Sequence, residues 1–92
     1  MIGFVRCDCS LYDVHSLKEK RSIIKSIIAR LKQRFNVSVA ELDFQDVWQR
    51  TVIGIAVVAN SRKRAEQELQ KALEMIESNT RIEMIEIEYE SL

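Results

Sequence analysis

The sequence predicts an α+β sandwich, two helices packed on one face of a four-stranded antiparallel sheet. Three observations lead there. Apolar residues alternate with period two near both ends of the chain, they recur at helical spacing in two interior segments, and the elements follow one another as β-α-β-β-α-β. Two helices cannot cover both faces of such a sheet, so they share one.

Each element has its own signature. In residues 2–12, Val5, Cys7, Cys9 and Leu11 fall on one face of a strand, with Arg6, Asp8, Ser10 and Tyr12 on the other. After Asp13-Val14-His15 the period changes, and Leu17, Ile24, Ile27, Ile28, Leu31 and Phe35 form the apolar side of a helix over residues 17–35. Ser16 and Glu19 make a capping box at its start. Val37–Asp43 reads as the second strand, and Phe44–Arg50 as the connection to a third. Residues 51–59 are apolar almost throughout (Val52, Ile53, Ile55, Val57, Val58), as suits a central strand. Asn60 or Ser61 caps a second helix with Ala65, Leu69, Ala72, Leu73 and Ile76 facing inward. Ser78-Asn79-Thr80 ends it. In the last strand Ile85, Ile87 and Tyr89 alternate with Glu86, Glu88 and Glu90, a charged pattern that discourages pairing at a sheet edge. This order is that of a ferredoxin-like sandwich with the first and third strands in the centre.

Composition narrows the classes of function. Ninety-two residues make a single domain, 1–92, with 14 basic and 14 acidic residues and no net charge. The charges are unevenly placed. Lys18, Lys20, Arg21, Lys25, Arg30, Lys32 and Arg34 stand against Glu19 alone in the first helix, while Glu83, Glu86, Glu88 and Glu90 stand against Arg81 in the last strand. Arg6 and Asp8 interrupt any apolar core of a signal peptide. No apolar run approaches the ~20 residues of a membrane span. Two cysteines without a secretory signal fit a reducing compartment, so the expected location is the cytoplasm.

The run Ser16-Leu17-Lys18-Glu19-Lys20-Arg21 places cations at a helix start, where the macrodipole is already positive. Each exposed one costs about 0.3–1 kcal/mol at low salt. Together with Phe35-Asn36-Val37-Ser38-Val39-Ala40-Glu41 and Asp46-Val47-Trp48-Gln49-Arg50, this run resembles the YlxP-like family of small bacterial proteins, a domain of unknown function. The resemblance extends over essentially the whole chain. It implies a ferredoxin-like fold, no established enzymatic activity, and an association with RNA or the ribosome, since members' genes often lie near those of translation and ribosome-binding factors.

The topology gathers the first strand–helix turn, the connection between strands two and three, and the turn before strand four at one end. That end is expected to bring His15, Lys18, Lys20 and Arg21 near Gln45, Trp48, Gln49 and Arg50, with Asn79 and Arg81 close by. Lys18, Lys20, Arg21, Lys25 and Arg50 are the candidate phosphate contacts, and Trp48 the candidate for stacking on an unpaired base. Lys32 extends the basic stripe along the helix. The expected partner is structured RNA or a ribosomal particle, with no membrane and no DNA specificity.

Other chemistries fit less well. The glutamates of the last strand would repel phosphate from the open sheet face, which is expected instead to close a homodimer, an alternative protein–protein role for the module. Cys7 and Cys9 face the core and lack the further soft ligands that a zinc site needs, so no metal or other cofactor is expected. Asp13, His15 and Ser16 sit in a capping turn with no third group to orient them, and no glycine-rich phosphate loop is present. No catalytic residue is assigned.

Overall fold

The computed structural model describes residues 1–91; Leu92, included in the expected domain, lies outside the described residues. The elements are β1 (Ile2–Leu11), α1 (Leu17–Arg34), β2 (Val37–Asp43), β3 (Arg50–Val58), α2 (Arg62–Glu77) and β4 (Ile82–Ser91). They form one antiparallel sheet of order β2-β3-β1-β4, with both helices on one face. The architecture is the expected ferredoxin-like sandwich, with β1 and β3 central.

The core follows the two periods. Val5, Cys7, Cys9 and Leu11 from β1 and Ile53, Ile55 and Val57 from β3 point toward the helices. Ile24, Ile27 and Leu31 of α1 and Ala65, Leu69, Ala72, Leu73 and Ile76 of α2 meet them. Both helix starts are capped by serine. Ser16 accepts a hydrogen bond from the Glu19 backbone N–H at 3.0 Å, and Ser61 from that of Arg64 at 3.2 Å. Ser61, not Asn60, is the cap.

The open face is partly covered by the chain itself. A register shift between Glu41 and Asp43 frees Leu42 to lie across β3 above Gly54. A Cβ at Gly54 would stand 2.5 Å from Leu42 Cδ1 and 3.2 Å from Phe4 Cε2, so only glycine leaves the space that Leu42 fills. Val52, on the same face, is buried within the monomer.

Candidate nucleic-acid interface

The expected convergence at one end is present. The Leu11 N–H donates to Gln49 O at 2.9 Å, and the Tyr12 N–H to Arg81 O at 2.8 Å. Arg81 in turn donates to the carbonyls of Tyr12 and Asp13 and pairs with Glu19. The three connections therefore form one bonded surface, and Arg81 serves to join them.

Lys20 departs from the expected arrangement. It is fully buried, with its ammonium 2.8 Å from Glu41 Oε2 and donating to Phe44 O at 2.6 Å. Thr51, also buried, donates to the same Glu41 oxygen at 2.6 Å. Lys20 is thus not a phosphate contact but a tie between α1 and the β2–β3 connection. The reason lies in helix phase: Lys20, Ile24, Ile27 and Leu31 are the buried residues of α1, spaced as one stripe. The buried ammonium is neutralised and accepted where it lies, as a desolvated charge requires.

The same tie shapes the loop beyond β2. Phe44 adopts a left-handed backbone (φ 59°), its N–H bonded to Asp43 Oδ1 at 2.8 Å and its carbonyl also accepting the Val47 N–H at 3.0 Å. Arg50 is engaged too. It grips Asp8 through both carboxylate oxygens, Nη2 lying 2.9 and 2.8 Å from them, and its guanidinium sits 4.9 Å from the centre of the Phe44 ring. Arg50 therefore braces the open sheet face against Asp8 and is not a free cation.

The remaining candidates are accessible. Lys18, Arg21 and Lys25 are exposed, as are Arg30, Lys32 and Arg34. Arg21 reaches Asp46 Oδ1 at 3.3 Å in an exposed pair. Among the described residues, Lys18, Lys25, Arg30, Lys32 and Arg34 form no ion pair. Lys18, Lys25 and Lys32 recur every two turns, about 10 Å apart along the helix. Trp48 is 47% exposed, beside Val47 at 41%, on the connection whose Asp46 meets Arg21.

Titration and burial set the other groups apart. The Arg81 guanidinium holds the Glu19 carboxyl below its ordinary range, helped by the His15 backbone N–H. The hydrogen bond shared with Cys7, together with burial, pushes the Cys9 thiol well above its usual value. Both thiols face the core, Cys7 Sγ lying 3.3 Å from Ile53 O. Among the described residues, no helix is long and apolar enough to cross a membrane.

Sequence reasoning left open whether Glu41 pairs with the basic helix, and it missed Thr51 and Phe4. The signal was phase: Glu41 continues the core-facing series Val37, Val39, and Thr51 begins that of Ile53, Ile55 and Val57. Phe4 shares the open face with Arg6 and Asp8, being even-numbered on the same strand.

Residues 2–89 match the family model described as protein of unknown function (DUF503). The chain is similar to the uncharacterized protein YlxP of Bacillus subtilis (strain 168), with 52% identity over 83 residues and 90% of each chain covered.

Proposed function

Because the chain belongs to this family of unknown function, matched over residues 2–89, we propose a role read from its own surface: docking on the RNA of a ribosomal particle in the cytoplasm. The observation that carries the reading is the outer face of α1, where Lys18, Lys25 and Lys32 stand exposed in a line and unpaired among the described residues. Such a row supplies phosphate contacts without base readout, so it favours backbone geometry over sequence. Arg21 adds a solvated cation at one end, and Trp48 an exposed aromatic face for an unpaired base. Docking needs no catalytic group. Ser16 is occupied as a cap, which supports a non-enzymatic role. The gene neighbourhood implied by the family resemblance supports a ribosomal source for the RNA.

The test is co-sedimentation with ribosomal subunits across a salt series, with and without ribonuclease, using the native chain and a Lys18→Glu/Lys25→Glu/Lys32→Glu variant. Salt-sensitive association that ribonuclease abolishes and the variant lacks is the expected outcome. Equal association of native chain and variant would overturn the reading.

A second reading is favoured by a separate observation on the open sheet face. Ile2, Leu42 and Val58 are 42, 40 and 72% exposed there, next to Phe4. Packing this face on a second copy would cover them. Sedimentation velocity giving a monomer at high protein concentration would remove that reading.

A further inference from the structure

The β4 edge combines three features that neither reading above uses. It is the longer of the two sheet edges, ten residues against seven for β2, and its outer main chain pairs with no strand among the described residues. On the helix side, Ile87 and Tyr89 lie in register with Cys7 and Val5, yet α2 leaves them 38 and 52% exposed, with neighbouring Ile85 at 55%. An open groove of about 1000 Å³ lies between α2 and β4, with Leu69 and Tyr89 at its apolar base and polar and charged side chains of α2, Glu66 and Glu74 among them, along its wall. On the open-face side, Glu86, Glu88 and Glu90 stand in register with Asp8, Arg6 and Phe4. None of these three glutamates is ion-paired among the described residues.

Like charges two residues apart on a strand sit about 7 Å from each other. Arg6, in register with Glu88, offsets one of the three charges, and Arg50 is engaged by Asp8, so the row keeps a net negative charge. Such a row does more than blunt an edge. It excludes a second copy, because antiparallel pairing of two β4 strands would set glutamates opposite glutamates. It favours a strand carrying lysine or arginine at alternate positions, and the exposed Ile85, Ile87 and Tyr89 give the intervening apolar residues a surface to cover.

We propose that the β4 edge accepts an extended segment of another protein by strand addition, its basic residues meeting Glu86, Glu88 and Glu90 and its alternate apolar residues meeting Ile87 and Tyr89. This rests on β4 and α2 alone and is independent of the RNA reading.

The probe is a labelled peptide of about ten residues alternating lysine and valine. Its counterparts carry glutamate for lysine, or the same lysines and valines in separate blocks. Binding is read by fluorescence anisotropy and by amide exchange of the native chain. The alternating basic peptide is expected to bind at least about tenfold tighter than either counterpart and to slow exchange of β4 amides. A Glu86→Lys/Glu88→Lys variant should weaken it by about the same factor. Lys18→Glu, on the opposite flank, should leave it unchanged. Absence of binding, equal binding of the block peptide, binding without β4 protection, or self-association through β4 would each overturn the proposal.

Discussion

The loop end of the molecule and the outer flank of α1 carry the same kinds of charge and treat them in opposite ways. At the loop end, cations are matched within the chain: Lys20 with Glu41, Arg21 with Asp46, Arg50 with Asp8, Arg81 with Glu19. Along the flank, Lys18, Lys25 and Lys32 have no such matches among the described residues. A cluster of basic residues near a turn is thus a poor guide to an anion site until its carboxylates are placed. What distinguishes the flank is that, among the described residues, no carboxylate is paired with its lysines.

The largest effect should come from breaking the loop end at its buried member. Lys20→Met would leave Glu41 without its ammonium and Phe44 O without that donor, costing about 3–5 kcal/mol in urea unfolding. Lys18→Met and Lys25→Met should each stay within about 0.5 kcal/mol of the native chain. Similar losses at all three positions would erase the contrast.

Sharpening the contrast from the flank, the triple reversal of Lys18, Lys25 and Lys32 should leave unfolding nearly unchanged. It should flatten the dependence of log affinity on log salt by about one per phosphate contact removed, measured by filter binding to ribosomal RNA. A parallel drop in affinity at every salt concentration would mean the lysines do not meet phosphates.

A smaller effect is expected at Trp48. Trp48→Ala should weaken single-stranded RNA binding by about 1–3 kcal/mol in a titration if a base stacks there, with little change in melting temperature. A large fall in melting temperature would assign Trp48 to the folded loop end instead.

The smallest effect is a matter of pH. Glu19 is held below its ordinary value of 4.5 chiefly by Arg81, so its contribution to stability is present above that value. It is lost as pH falls through the depressed folded value. Glu19→Gln should therefore flatten the acid limb of a stability–pH curve, while leaving the slope near neutrality untouched. An unchanged acid limb would show that Arg81 joins the loops through the Tyr12 and Asp13 carbonyls alone.

Much of the fold was legible because burial writes itself as period. The alternation of Val5, Cys7, Cys9 and Leu11 and the spacing of Ile24, Ile27 and Leu31 placed both layers correctly. The site was less legible because residue type was allowed to outweigh phase. Lys20 falls in the buried stripe of α1, Glu41 in that of β2 and Thr51 in that of β3, and three polar residues in core phase on adjoining elements imply one another. Arg50 could be placed only with the strand register, since its partner Asp8 lies 42 positions away in sequence.

The bond from Lys20 to the Phe44 carbonyl also bears on how the exposed loop would meet a partner. A surface connection of this length ordinarily samples many conformers and surrenders that freedom when it binds. Here the turn is clamped from beneath by a buried ammonium, from within by the Val47 N–H, and at its far end by the Leu11 N–H. The aromatic ring of Trp48 is thereby offered on a pre-organised support whose backbone entropy was lost when the chain folded. Affinity at that ring would accordingly rest on the new contacts alone, with little opposing cost from ordering the loop.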